Sequence, residues 1–167
     1  MSGLLLFKTA WGSGDLASML RQAKEARFDG IEAPAPLDPS ERAAFFAALS
    51  VSGLSWIAEV STCTPPGKYV PLPRLSVAAH LASLREGVQR SLEGSARPLF
   101  VNTMAGSDSW SAAEALEFHT GVVRLQDELG IAVVRSTDTR TALVSRAFAA
   151  ERGDASRPLQ LQPVADA

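Results

Sequence analysis

Polar side chains that could carry chemistry stand where two apolar segments of the chain end. Asn102 and Asp108 flank the carboxyl end of one segment, and Glu32 lies near the end of a shorter one. Because α/β folds place ligands at the carboxyl ends of their strands, these residues are the first candidates for contact with a polar ligand. Glu32 and Asp108 also have the carboxylates that a proton transfer would use. Each has a structural alternative, because Glu32 can be a solvated strand-end carboxylate and Asp108 can cap the helix that follows it.

Aromatic and imidazole side chains form a second group of candidates. Trp11 and Trp110 lie in loops after predicted strands, where they could form an apolar wall for a ligand, although core packing explains them nearly as well. His80 is near the start of a predicted helix and could reach the same site, but a histidine there more often makes a structural hydrogen bond. His119, beside Phe118 in the middle of a helix, is better explained by a surface or packing role.

Two other side chains, Glu59 and Cys63, could be reactive in a suitable environment. Glu59 lies inside an apolar strand, where it would be a desolvated acid if it faced inward, but an ion pair with Lys8 or an arginine explains it at least as well. Cys63 is the single cysteine of the chain, so it cannot form an internal disulfide. No partnering motif accompanies it, and we assign it no role.

Composition limits the classes of partner. The chain has 167 residues, of which 46% are hydrophobic, and this is enough for one domain with a core. Its net charge of -2 gives no basic surface for a nucleic acid or an anionic membrane, so neither partner is expected. The sequence opens with neither a signal-peptide pattern nor an apolar run of membrane length. We therefore expect a cytoplasmic protein.

Apolar periodicity predicts alternating strands and helices. The predicted strands are residues 4–9, 31–33, 54–60, 98–103 and 131–134. The predicted helices open at Asp15, at Pro39 and Ser40, at Ser76, and at Ser109 or Ser111, and they close near Gly30, Gly53, Gly94 and Gly130. Residues 62–73 contain four prolines and form a predicted irregular loop. We expect residues 1–141 to form the α/β unit, and residues 142–167 to form a weak helix, 142–150, with a polar tail.

This alternation predicts a parallel sheet with right-handed crossovers, and two architectures fit it. A doubly wound open sheet of five strands would be complete at this length, whereas a (β/α)₈ barrel needs about 250 residues. The segment Gly12 to Asp15 (GSGD) is only a weak phosphate-binding signal, because it lacks the Gly-x-Gly-x-x-Gly pattern. Periodicity alone leaves both architectures open.

Longer motifs favour the barrel. The segments His80 to Val88 (HLASLREGV) and Pro98 to Trp110 (PLFVNTMAGSDSW) resemble the third helix, fourth strand and following loop of the xylose isomerase-like sugar isomerase/epimerase family. Phe7 to Gly12 (FKTAWG) and Asp29 to Glu32 (DGIE) are similar to its first two strand ends, so the resemblance extends over residues 4–134. It implies a partial (β/α) TIM barrel of about five parallel strands with flanking helices.

The resemblance implies an isomerase or epimerase that acts on a small sugar or sugar phosphate. Moving a carbonyl between neighbouring carbons needs a base for the carbon-bound proton and an electrophile for the oxygen. In the family that electrophile is a divalent metal, Mn²⁺, Mg²⁺ or Zn²⁺. The resemblance suggests catalytic roles for Glu32 and Asp108, and substrate contacts for Trp11, His80, Asn102 and Trp110.

Departures from the family pattern predict impaired chemistry. The family often has a histidine where this chain has Met104, and its fifth strand commonly ends in Glu-Thr-His-Arg, where this chain has Ser136 to Thr139 (STDT). In the family that glutamate is a metal ligand, and later strands supply further ligands, which we expect this chain to lack. We therefore expect a truncated homologue that retains no metal, and we assign no metal ligands.

Two expectations concern partners and alternatives. The first and last strands would have open edges, which predicts a homodimer or a poorly soluble monomer. A small sugar-like molecule is the expected ligand. The alternatives are a non-catalytic binding or assembly module and a compact flavodoxin-like domain.

Overall fold

The computed structural model of the chain describes residues 4–10, 12–62, 75–107 and 109–135. Strand and helix alternate through these residues, which confirms the predicted α/β class. The elements are β1 (Phe7–Thr9), α1 (Leu16–Glu25), β2 (Gly30–Ala33), α2 (Pro39–Ser52), β3 (Ser55–Ser61), α3 (Val77–Ser91), β4 (Val101–Met104), α4 (Ala112–Leu129) and β5 (Val133–Arg135). None of the described helices is both long enough and apolar enough to cross a membrane.

The five described strands form one sheet in the order β1-β2-β3-β4-β5, and every neighbouring pair is parallel. Each strand therefore lies beside the strand that precedes it in the chain. A doubly wound sheet instead reverses its strand order at a switch point, where its ligand binds. The order of the described strands thus differs from that of the doubly wound alternative.

One face of the sheet carries the hydrophobic core. Strand residues on this face alternate with residues on the other, and they include Ile31, Trp56, Val101 and Val133, all less than 9% exposed. The helices contribute Met19 and Ala23 from α1, Phe45, Phe46 and Leu49 from α2, Val77, Leu84 and Val88 from α3, and Phe118 and Leu125 from α4 to the same cluster. All four described helices therefore pack on this face, which we call the helix face.

Side-chain caps explain where the helices begin. The Asp15 carboxylate accepts from the Ser18 N–H at 2.7 Å, and Ser76 and Ser111 cap α3 and α4, so all three predicted caps are confirmed. Ser111 completes a capping box with Glu114. Asp38, one residue before the predicted start of α2, caps that helix. Polar residues that satisfy free N–H groups at a helix start are therefore a reliable signal in this chain.

The predicted glycine caps are correct for two helices and wrong for two. Gly53 and Gly130 end α2 and α4 in the left-handed conformation, as predicted. At the end of α1, however, Arg27 adopts the positive φ, and Gly30 is instead the first residue of β2. A Cβ on Gly30 would collide with the Phe7 ring and the Ser55 carbonyl, so close packing explains this glycine.

Gly94 also has a packing role rather than the predicted capping role. Helix α3 ends at Ser91 with Leu92 as its C-cap. A Cβ on Gly94 would collide with the ring of Phe46 in α2. The glycine therefore permits the chain after α3 to pass directly over this aromatic ring.

Three strands begin two or three residues later than the apolar runs predict, and β3 begins one residue later, at Ser55. Strand β1 starts at Phe7 rather than Leu4, β4 at Val101 rather than Pro98, and β5 at Val133 rather than Ile131. Residues just before these strands make single inter-strand hydrogen bonds, as between the Leu99 N–H and the Trp56 carbonyl, but the continuous ladders begin at Phe7, Val101 and Val133. The predicted irregular loop, apart from residue 62, and the predicted helix and tail at 142–167 lie outside the described residues.

Candidate functional site

The sheet face opposite the helices carries a different set of side chains. Since partner residues in parallel strands point to the same side, Glu32 shares this face with Thr9 and Ile57, its neighbours in register. The next row along the strands places Asn102 beside Glu59. We call this surface the second face. It holds most of the polar strand residues, whereas the helix face is largely apolar.

Glu32 and Asn102 meet on the second face. The Asn102 Nδ2 donates to the Glu32 Oε1 at 2.5 Å, and both side chains are half-buried. Their strands β2 and β4 are separated by β3, and two strand spacings amount to roughly 10 Å. Only long side chains that lean toward each other above β3 can span this distance. The contact confirms the expectation that both residues lie at the same end of a parallel sheet.

Glu59 also lies on the second face, on the strand between those of Glu32 and Asn102. Its Cα is in register with that of Asn102 on the neighbouring strand, and its side chain is half-buried. Lys8 is in register with Ile31, which belongs to the helix face. Lys8 and Glu59 therefore project from opposite faces, which excludes Lys8 as the ion-pair partner that the sequence suggested. Glu32, Asn102 and Glu59 together form the candidate site.

His80 and Trp110 lie elsewhere, between α3 and α4 on the helix face. His80 is only 3% exposed, and its Nδ1 shares a hydrogen bond of 2.8 Å with the Thr62 hydroxyl. The Trp110 ring packs edge-on against the imidazole at 5.0 Å between ring centroids and lies 5.1 Å from the Phe118 ring. Burial lowers the pKa of His80 below 6.5, so the ring is neutral at pH 7.

These contacts support the structural alternatives for both residues. His80 joins Thr62, which directly follows β3, to helix α3, as expected for a structural hydrogen bond. The indole Nε1 of Trp110 is buried and has no hydrogen-bond partner among the described residues. Packing of the ring, rather than a polar contact, therefore determines the position of Trp110. The described geometry brings His80 and Trp110 together, but not with Glu32 and Asn102.

The remaining sequence candidates divide into two groups. Trp11 and Asp108 lie outside the described residues, as does Cys63. His119 is exposed, with its ring 5.9 Å from that of Phe118, in agreement with the predicted surface or packing role. Sequence reasoning missed Thr62, and only its position as the first residue of the predicted irregular loop could have indicated it.

The described part of the candidate site does not match a divalent metal centre. Within residues 4–10, 12–62, 75–107 and 109–135, no three histidine, cysteine, aspartate or glutamate side chains are grouped so that they could hold a metal ion. The Glu32 carboxylate accepts from an amide N–H₂ group, which is a donor and cannot itself ligate a cation. The described residues therefore provide no set of side chains that could bind a catalytic metal ion.

The chain was compared with protein-family models and with curated proteins. No protein-family model matches the chain, and no curated protein matches it.

Proposed function

We propose that the chain is part of a (β/α) barrel similar to the xylose isomerase-like sugar isomerases and epimerases, and that it binds a small sugar-like molecule with impaired catalysis. The sequential strand order supports this proposal, because a barrel wall adds each strand beside the previous one. The packing of all four described helices on one face supports it as well, since a barrel keeps its helices outside.

The observation that carries the proposal is the hydrogen bond between Glu32 and Asn102. A carboxylate accepts hydrogen bonds, whereas a side-chain amide has both donors and an acceptor. The pair can therefore bind neighbouring hydroxyl groups, each of which donates and accepts. The amide also orients the Glu32 carboxylate, and in an isomerase that carboxylate would serve as the base for a carbon-bound proton.

The residue at the end of β4 supports the proposal of impaired catalysis. Met104 ends β4 at the position where the family often has histidine. A thioether neither donates a proton nor stabilises an oxyanion by hydrogen bonding. Among the described residues, no group is placed to stabilise the negative charge that would develop on the carbonyl oxygen when Glu32 removes the proton.

Amide NMR spectra of the ¹⁵N-labelled full chain, titrated with D-xylose and D-ribose, test the binding proposal. We expect saturable shifts of the Glu32 and Asn102 amides and of their strand neighbours. Glu32→Gln and Asn102→Ala should weaken binding about tenfold each, which corresponds to about 1.4 kcal/mol for one lost hydrogen bond in the complex. Glu25→Gln, an equivalent change on an exposed carboxylate of α1, is the matched control.

Two results of the titration would contradict the proposal. If a folded chain shows no saturable shift with either sugar, or if both site variants bind as the wild type does, the second face is not a sugar site.

A further inference from the structure

Helix α4 has an apolar outward face that the described structure leaves uncovered. Leu116 is 69% exposed and Val123 is 55% exposed, whereas Phe118 and Leu125 are buried in the core. Residues seven apart lie on the same side of a helix, two turns from each other. Leu116 and Val123 therefore form a pair on the side of α4 that faces away from the sheet.

The charged residues next to this pair have a symmetric arrangement. Glu117 and Arg124 are also seven residues apart and exposed, and both pairs are centred on Thr120 to within one residue. If a second α4 lies antiparallel across Thr120, Leu116 faces a partner valine, and Glu117 faces a partner arginine. The exposed face of α4 is thus complementary to a second copy of itself, because apolar residues face apolar residues and acidic residues face basic ones.

We propose that two copies of this chain associate through α4, with the helices antiparallel and related by a twofold axis at Thr120. Leu116 packs against Val123 of the partner subunit, and Glu117 forms an ion pair with Arg124 of the partner subunit. The twofold axis repeats both contacts. This surface is separate from the proposed sugar site, so the two proposals can fail independently.

The polar groups of this surface suit burial between two copies. The Thr120 hydroxyl donates to the Leu116 carbonyl at 2.8 Å, so it needs no further partner when covered. Neither Glu117 nor Arg124 has an ion-pair partner within the described residues. An intersubunit pair would therefore break no described ion pair. Gly121 and Phe118, which contact α3 and the core, lie on other sides of α4.

The sheet edges are less suited to self-association than the sequence suggested. On β5, the outward Val133 N–H donates to the Gln126 side chain at 2.8 Å. On β1, the outward Thr9 carbonyl accepts from the Ser13 hydroxyl at 3.1 Å. A second copy that extended the sheet at either position would have to displace these bonds. Side chains that occupy edge groups are a known protection against strand pairing, so α4 is the better surface.

Sedimentation velocity of the full chain over a concentration series tests the proposal. One pair of helices gives a small interface, so we expect reversible, concentration-dependent dimers. Glu117→Arg and Arg124→Glu should each weaken association at least tenfold, because each places like charges opposite one another. The double variant should restore it. Glu86→Arg, a charge reversal on the exposed side of α3, should leave it unchanged.

Circular dichroism of each variant separates lost association from lost folding. A wild type that is monomeric at every concentration would overturn the proposal. So would folded single variants that dimerise as well as the wild type, or a double variant that fails to recover.

Cross-linking gives a measurement that does not depend on charge. In a Cys63→Ser background, Thr120→Cys places a thiol on the proposed axis, and a short bismaleimide should join two copies. Val51→Cys, on α2 at a position that is 87% exposed, is the matched control and should not cross-link efficiently. Equal cross-linking of the two variants, or none at Thr120→Cys, would contradict the twofold arrangement.

Discussion

The side-chain amide of Asn102 donates to the carboxylate of Glu32 across the intervening strand β3, which joins two strands that are not neighbours in the sheet. The bond therefore fixes the side chains of β2 and β4 relative to each other. A ligand at this place would meet side chains whose positions are fixed before it binds.

Loss of this bond should cost stability. Asn102→Ala leaves the half-buried Glu32 carboxylate without its amide donor, and we expect the free energy of unfolding to fall by about 1–2 kcal/mol. Asn102→Asp should cost more at pH 7, because it places a second carboxylate against Glu32. Urea unfolding of the two variants and the wild type measures both differences. Equal stability of all three proteins would show that the bond contributes nothing in solution.

Stability should also depend on pH through His80. Burial lowers the pKa of His80 below its ordinary value of 6.5, so the unfolded chain binds the proton more readily than the folded one. The folded state is therefore favoured above pH 6.5, and this contribution is lost as the pH falls from 6.5 through the lowered pKa. We expect the free energy of unfolding to decrease over that range.

His80→Gln should remove this part of the pH dependence, since glutamine does not titrate. His119→Gln changes an exposed histidine and is the matched control. Urea unfolding between pH 8 and pH 5 compares the three proteins. If His80→Gln keeps the slope of the wild type in this range, His80 does not titrate as its burial implies.

Trp110 and Trp56 should respond differently to the same substitution. The Trp56 Nε1 donates to the Ala33 carbonyl at 3.0 Å in the core, whereas the Trp110 Nε1 has no described partner. Trp56→Phe therefore loses this side-chain hydrogen bond in addition to side-chain volume. We expect it to cost about 1–2 kcal/mol more than Trp110→Phe. Thermal unfolding measures the difference, and a larger loss for Trp110→Phe would show that its indole N–H has a partner.

The sequence predicts the elements of this fold well because their signals are local. Helix caps such as Asp15 and Ser111 act within one turn, and the left-handed Gly53 and Gly130 end helices through their own backbone freedom. Gly30 was assigned wrongly, since its role depends on Phe7, which is distant in the chain. A glycine that ends a helix and one that admits an aromatic ring look the same in a sequence.

Strand order and the alternation of side chains along a strand allowed only part of the candidate site to be predicted. Parallel strands place Glu32 and Asn102 at one end, and alternation then puts both on the same face. Whether His80 faces the site or the core depends on the rotation of α3 against Thr62 and Trp110. That rotation follows from tertiary packing, which no local pattern specifies.

The last prediction concerns catalysis. We expect the full chain to show no appreciable aldose–ketose isomerase activity with D-xylose when Mn²⁺, Mg²⁺ or Zn²⁺ is added. The described residues offer Glu32 as a base, but they gather no three-ligand set for a cation that could polarise the carbonyl. Under the proposed resemblance to xylose isomerase-like proteins, Ser136 stands where those proteins have a ligating glutamate, and a serine hydroxyl is a poor ligand compared with a carboxylate. Coupled enzymatic detection of the ketose, with and without EDTA, measures any turnover. Metal-dependent turnover that is lost in Glu32→Gln would show that residues beyond this pair complete an active centre, whereas turnover that survives EDTA but is lost in Glu32→Gln would mean that the base acts without a metal.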